Sequence, residues 1–398
     1  MKREEFEHRL LDFVNRMLPE AVPPLAVDEE TALFEEGVIN SLRILDLIAF
    51  VEEITQARVP DEAVRLANFR SVRAIAAAFA DNAGGADGHA RGAPDDDGAI
   101  LVFERRSDRN GFAKPVEELA ALGELALLPP GRVVFSGSAE RLLCYFDSVA
   151  RGWAAELGAE GQCCPSLLPV EILTRAGCVV GAAPREGVMP PAVCYHFYGA
   201  REGTRLDDAP LFLTGQGRCF RDEPELEPSL GRLRVFEMRE IVALGARTDV
   251  EGFRQEMIER VRGLVSDLDL EGRIEKANDP FFLQAPEALA RMRRSGLPEP
   301  RGRRLMQQVL PLKYELRLAL DESGHTCAVA SFNHHLDFFG RRFRMRLASG
   351  ATAQSGCVAF GLERWVLAFL SQHGIHEQAW PAAVRDFCNR EVEHGRIA

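Results

Sequence analysis

A chain of 398 residues with 46% hydrophobic content is long enough for two or three domains with their own cores, and its formal net charge of −12 argues against a broad nucleic-acid-binding face. No apolar run reaches the roughly 18 residues needed to span a membrane, and the charged start MKREEFEHRL lacks a secretory h-region, so a cytoplasmic protein without a membrane partner is expected. The nine cysteines then read as reduced thiols, available as core residues, metal ligands or nucleophiles.

In chain order, Arg3 to Leu18 places Phe6, Leu10, Phe13, Val14 and Met17 at helical spacing. A second helix is expected from Leu42 to about Gln56, and a third from Ser71 to Phe79 with Ser71 as its cap. Through Asp81 this part holds nine basic and sixteen acidic residues, more than half of the chain's net charge. From Asp81 to Gly98 the sequence turns to Gly, Ala and Asp with no apolar period. The division expected is a small helical domain over 1–82, a flexible linker over 83–98 spanning about 20–25 Å, and a large domain over 99–398. In the large domain, helices are expected over Ala139–Leu157, Val250–Leu264, Pro286–Ser295 and Leu362–His373. Strands are expected over Arg218–Asp222, Leu233–Leu244, Leu310–Leu320, Cys327–Asn333 and Gly356–Phe360. Strands in succession with helices between them predict an α+β antiparallel sheet backed by helices, following an all-α bundle.

Ser41 stands at the start of the second helix, in GVINSLRILDLIAFVEE. One reading is that Asn40 or Ser41 caps that helix. The other comes from the whole segment: a short acidic helical unit with an LFEEG turn and then INSL at a helix start resembles an acyl or peptidyl carrier protein over residues 1–80. The resemblance implies that Ser41 carries 4′-phosphopantetheine, installed by a phosphopantetheinyl transferase, although Asn40 stands where that family usually has aspartate. A phosphodiester at this serine would lie near the positive end of the helix dipole. Asp46, Glu52 and Glu53 would offer a charged face to partner enzymes.

GRCFRDEPELEPSLGRLRVFEMREIV, Gly217 to Val242, has the form strand, polar Pro-rich loop, strand. Side-chain alternation puts Arg221 and Glu223 on one face of the first strand, and Phe236, Met238 and Glu240 on one face of the second. Phe236 and Glu240 then lie about 13 Å apart, a span that suits a nucleotide with a small acid beyond its α-phosphate. Arg221 is the candidate for that phosphate and Phe236 for the adenine. This stretch resembles motif 2 of class II aminoacyl-tRNA synthetases. SGCVAFGLERWVLAFL, Ser355 to Leu370, is similar to motif 3 of that family, with Gly361 making room for the nucleotide and Arg364 reaching its phosphates or ring. SFNHHLDFFGRR, Ser331 to Arg342, resembles a seryl-type segment, and PSLLPVEIL, from Pro165, is similar in position to the dimer-forming motif 1. The resemblance covers residues 130–380; the alternative for each arginine is a structural salt bridge.

Three candidate metal ligands stand out by position: Cys194, Glu240 and Cys357, two thiolates and a carboxylate that would leave a place open on zinc. His196, His334 and His335 compete with them. The set resembles that of the atypical zinc-dependent seryl-tRNA synthetases, and more closely that of their truncated relatives, the amino acid:[carrier protein] ligases, which also have segments like NDPFF (Asn278 to Phe282) and K-x-E-L (Lys313 to Leu316). That resemblance implies Zn²⁺, Mg²⁺ with ATP, a small amino acid, a homodimer, and loading of a carrier in cis or in trans. Arg291, Arg293, Arg294, Arg301, Arg303 and Arg304 form a basic segment that reads either as a solvated face or as a dock for the acidic carrier. Residues 99–130 are too few for a long tRNA-binding arm, so tRNA is not expected as a partner; a tRNA-charging synthetase and a silent synthetase-like scaffold are the rival readings.

Overall fold

A computed structural model describes residues 3–16, 27–33, 38–39, 43–80, 101–107, 111–178, 187–207, 209–222, 226–277 and 312–393. Internal contacts divide the chain into two units, 1–99 with 277–312, and 100–276 with 313–398.

In the first unit the described elements are helices α1 (Arg3–Arg16), α2 (Arg43–Thr55), α3 (Leu66–Phe69) and α4 (Val72–Phe79). Phe6, Leu10 and Val14 of α1 pack inward with Ile44, Leu45, Ile48 and Val51 of α2 and Val72, Ile75 and Phe79 of α4, all buried. Spacings of three and four give each helix one apolar stripe, and burying those stripes together makes the core. Phe13 and Phe50 stack with centroids 4.0 Å apart. Ser71 caps α4 as expected, its hydroxyl accepting from the Ala74 N–H at 3.2 Å.

The second unit comprises β1 (Leu101–Arg105), α5 (Pro115–Leu122), β2 (Leu125–Leu128), β3 (Arg132–Phe135), α6 (Gly137–Glu156), β4 (Glu160–Gly161), α7 (Val170–Arg175), α8 (Cys194–Ala200), β5 (Leu211–Phe220), β6 (Val235–Gly245), α9 (Arg247–Asp267), β7 (Gly272–Lys276), β8 (Lys313–Ala319), β9 (Thr326–Leu336), α10 (Phe338–Arg342), β10 (Gln354–Gly361), α11 (Leu362–His373) and α12 (Ala382–Glu393). Eight strands form one sheet in the order β1-β7-β8-β9-β10-β6-β5-β4, with β2 and β3 as a separate hairpin. The expected antiparallel sheet is corrected at one edge: β4 runs parallel to β5, the two strands being joined by a long connection that carries α7 and α8 and lets the chain re-enter in the same direction. The expected strand Arg218–Asp222 starts seven residues earlier and ends at Phe220, so Arg221 lies just beyond it. The strand expected from Leu310 starts at Lys313. The helix expected over Pro286–Ser295 lies outside the described residues, and the expected motif 1 segment includes the short helix α7.

Register separates the two sheet faces chemically. Ile241 and Ala243 of β6, Val358 and Phe360 of β10, Phe332 of β9 and Leu316 of β8 join Phe146 of α6, Met257 and Val261 of α9 and Trp365 and Phe369 of α11 in one hydrophobic core. The alternate residues, Met238 and Glu240, Cys357 and Ala359, Ser331 and Asn333, Lys313 and Glu315, share the other face, because Glu240 pairs with Ala359, Ala359 with Ser331 and Ser331 with Glu315. On the helix side one buried ion pair joins α6 to β6: Arg239 meets both carboxylate oxygens of Asp147, its Nη2 at 3.0 Å from Oδ2, and its Nη1 donates to the Thr214 hydroxyl at 3.3 Å. Removing one member leaves a buried charge unpaired, so Asp147→Ala is expected to cost about 3–5 kcal/mol, while an Arg239→Met/Asp147→Leu double variant recovers most of it. Urea unfolding of the two variants measures the difference.

Candidate active site

The polar face is built from strand ends and one short helix. Cys194 opens α8 and its backbone N–H donates to the Glu240 carboxylate at 2.5 Å. Glu240 pairs with Gly215 on β5; a Cβ at Gly215 would lie 2.8 Å from the Gln162 carbonyl oxygen and 3.0 Å from the Phe197 ring, so only glycine lets these segments close over the carboxylate. Cys357, one pair before Ala359 on β10, completes a cluster whose two sulfurs and one carboxylate oxygen all lie within 4.8 Å of one another. All three residues are buried. Among the described residues this is the one group of three or more such side chains placed to hold a metal.

Electrostatics make the cluster a poor home for three anions and a good one for a cation. Burial pushes the Cys194 thiol well above its ordinary range, with Cys357 and Glu240 adding to it. Burial likewise raises Glu240, against the opposing Cys194 N–H. At Cys357 the Cys194 hydrogen bond lowers the thiol, but burial and Glu240 together outweigh it and it too is raised. Two thiols and a carboxyl that each resist ionisation alone ionise together around a divalent ion, so the donor set fits a borderline-soft metal such as zinc. The rival histidines fall elsewhere. His334 bonds Gln354 at 2.9 Å, His196 is half-buried outside the cluster, and His335 stands behind Cys357 with Nε2 3.7 Å from the sulfur.

Toward the other end of β6, Arg221 lies over the Phe236 ring, with its guanidinium carbon 5.2 Å from the centroid, and its Nε donates to the Pro191 carbonyl at 3.1 Å. Arg364, in the first turn of α11, donates from Nε to the Gly231 carbonyl at 2.9 Å and from Nη1 to that of Ala328 at 3.0 Å. A Cβ at Gly361 would meet nothing nearer than 3.7 Å, so no protein neighbour dictates glycine there. Glu223, Ser41 and the arginines from Arg291 to Arg304 lie outside the described residues.

Three features of this face go beyond the sequence reading. Lys313 and Glu315 pair at 2.7 Å, and Lys313, Arg317 and Arg364 hold the Glu315 carboxyl below its usual range although burial opposes them. Asn333 donates from Nδ2 to the Cys357 sulfur at 3.4 Å. Glu363, beside Arg364, accepts the Glu237 N–H on both oxygens, at 2.8 and 2.9 Å. The period-two alternation that placed Glu240 applies equally to Glu315 and Asn333, and was the available signal.

No known family profile matches the chain. Over 206 residues it is 35% identical to amino acid–[acyl-carrier-protein] ligase 1 and 36% identical to ligase 2 of Bradyrhizobium diazoefficiens, covering 51% of this chain and 58% and 57% of those proteins. It is 30% identical over 229 residues to the type-2 serine–tRNA ligase of Methanothermobacter thermautotrophicus, covering 57% of this chain and 40% of that one. The match thus spans little more than half the length of the two carrier-protein ligases and 40% of the serine–tRNA ligase. Among solved structures, SerRS of M. kandleri in complex with A. aeolicus tRNASec superposes with a TM-score of 0.61 at 22% identity, over 84% of this chain and 71% of that one. The cytoplasmic serine-tRNA ligase of Naegleria fowleri in complex with AMP gives 0.56 at 14% identity, over 74% and 72%. The fold is that of class II seryl-tRNA synthetases. No described helix is long and apolar enough to cross a membrane.

Glu363 sets a pH test of this region. Burial raises its carboxyl from the ordinary 4.5 to about 8. The native state therefore holds a proton that the unfolded chain releases, so the stability contribution of this group is fully present below the unfolded value and is lost as pH rises through about 8. Glu363→Gln is expected to flatten that decline, measured as urea midpoints from acidic to mildly alkaline pH; an unchanged slope would place the proton elsewhere.

Proposed function

We propose that the second unit is an AMP-forming ligase that activates a small amino acid with ATP and Mg²⁺ and transfers the aminoacyl group to the phosphopantetheine thiol of a carrier protein, the fused first unit being the carrier and Ser41 its attachment point. The observation that carries this reading is the convergence of Cys194, Glu240 and Cys357 on the sheet face whose far end holds Phe236 and Arg221, in a chain that over 206 residues is 35% and 36% identical to two proteins named as amino acid–[acyl-carrier-protein] ligases.

In this account Cys194, Glu240 and Cys357 would hold Zn²⁺, which would supply a Lewis acid for the substrate's amino group and so help orient the amino acid. Every other task falls to side chains. Arg221 leaves the Phe236 ring for the α-phosphate, Glu223 is a further nucleotide-binding residue, and the vacated ring stacks under adenine. Arg364, stiffened by its two carbonyl contacts, faces the nucleotide from the α11 side, and Gly361 leaves space for it. The substrate carboxylate oxygen attacks the α-phosphorus and pyrophosphate leaves. The pantetheine sulfur then attacks the aminoacyl carbonyl, AMP leaves, and the thiol proton passes to solvent. The acceleration comes from positioning and charge neutralisation, with no covalent enzyme intermediate.

The arginines from Arg291 to Arg304 would dock the acidic carrier, and the linker would raise its local concentration for loading in cis; a homodimer would allow loading across protomers. Thirty per cent identity to a type-2 serine–tRNA ligase favours tRNA as the second acceptor to test. ATP–pyrophosphate exchange, run with each amino acid, tests activation. Exchange with one or two small amino acids is expected, falling about 10²–10³-fold in Arg221→Ala and Arg364→Ala. Offering holo-carrier and bulk tRNA to the charged enzyme then identifies the acceptor. Transfer to tRNA alone would replace this reading by the synthetase, and no exchange with any amino acid would leave a silent scaffold.

A further inference from the structure

Cys357 has an organised surrounding that the ligand set alone does not require. On β9 the pairing slips by one residue: Ser355 faces Leu336 while Gly356 faces His334, so His335 is the extra residue of a bulge. Leu336 pays for it with a left-handed backbone, φ +53°. Bulges turn a side chain away from the direction the pleat would give it, and are common beside active sites. Here the imidazole reaches two positions on β10 at once. Its Nε2 lies 3.7 Å from the Cys357 sulfur, and its Nδ1 lies 3.1 Å from the Ser355 hydroxyl. The Tyr198 hydroxyl, from α8, also meets Nδ1, at 3.2 Å. Tyr198, His335 and Ser355 are fully buried, and the rings of Tyr198 and Phe339 stack at 4.1 Å, fixing the phenol.

Two buried hydroxyls converge on Nδ1, and Ser355 also bonds the Tyr198 hydroxyl. One hydroxyl hydrogen is met within that pair and the other by a lone pair on Nδ1, which places the imidazole proton on Nε2, directed at Cys357. Asn333 donates to the same sulfur from the other side at 3.4 Å. Two N–H groups thus converge on a single sulfur, an arrangement suited to a thiolate.

We infer that His335 is a positioning residue for Cys357: held in its Nε2–H tautomer by Tyr198 and Ser355, it donates to the Cys357 thiolate and tunes this ligand. The inference rests on the proposed metal at Cys194, Glu240 and Cys357. It assigns His335 to the support of a ligand and removes it from the competing ligands.

Cobalt(II) substitution in the full chain separates the two claims. The wild-type protein is expected to bind one Co²⁺ with a sulfur-to-cobalt charge-transfer band. His335→Leu should weaken metal retention against a chelator by about 10–100-fold and move that band to longer wavelength, since a sulfur without its N–H donor gives up charge more readily. His335→Gln, which restores an N–H, should recover part of both. Tyr198→Phe and Ser355→Ala keep the imidazole and release its tautomer, so each should shift the band in the same direction by less; they carry the test if His335→Leu does not fold. Wild-type affinity and an unmoved band in His335→Leu, or in both hydroxyl variants, would overturn the role of His335 while leaving the metal site intact. A wild-type chain that binds no Co²⁺ would overturn both claims.

Discussion

The second unit depends on one constraint, the register of β10 between β6 and β9. Ala359 sits opposite Glu240 on one side and Ser331 on the other, so a strand's two-residue alternation turns Ile241, Ala243, Val358 and Phe360 toward the helices and Glu240, Cys357, Ser331 and Asn333 to the opposite face. A slip of one residue would drive Glu240 into the Trp365 core and bring Ile241 out. Gly215, Gly340 and Gly356 protect that register from different sides: a Cβ at Gly340 would lie 2.0 Å from the Ala353 carbonyl oxygen, and one at Gly356 would lie 2.7 Å from Val250 and 2.8 Å from the Asn333 carbonyl oxygen.

The same register creates an electrostatic problem that defines the site. Glu240, Cys194 and Cys357 are acidic groups brought together in the buried interior. At the other end of the face the pattern inverts. Arg221 and Arg364 are satisfied by ring and carbonyl contacts that an anionic ligand can replace or complement, with Glu315 held ionised among cations nearby. A surface with a pocket for a cation at one end and arginines at the other matches a molecule with an amino group at one end and phosphates at the other. An aminoacyl-adenylate has that polarity.

Much of this was legible in the sequence. The helix α11 has the bounds that its apolar spacing and the preceding Gly361 imply, and α6, α9, β6 and β9 lie within a few residues of expectation. Strand alternation accounts for Glu240 and Cys357 sharing a face, while Cys194 joins them from a helix. What was missed lacked a local period. The seven-residue helix α8 is too short to show one, although it carries Cys194. Strand β4 has two residues, and its parallel pairing depends on the connection through α7 and α8 and has no trace in its own sequence. The bulge at His335 involves partners on β10 and α8, so the sequence left that histidine among the candidate ligands when its place is behind Cys357.

The claim at the centre is that one chain both makes an aminoacyl-adenylate and receives its product. Intact-protein mass spectrometry tests it directly, on the full chain coexpressed with a phosphopantetheinyl transferase and then incubated with ATP, Mg²⁺ and a mixture of amino acids. The account predicts a phosphopantetheine mass increment that disappears in Ser41→Ala, followed by a second, ATP-dependent increment equal to one amino-acid residue. A chain that takes the first increment and never the second, with free holo-carrier also unloaded, would contradict it.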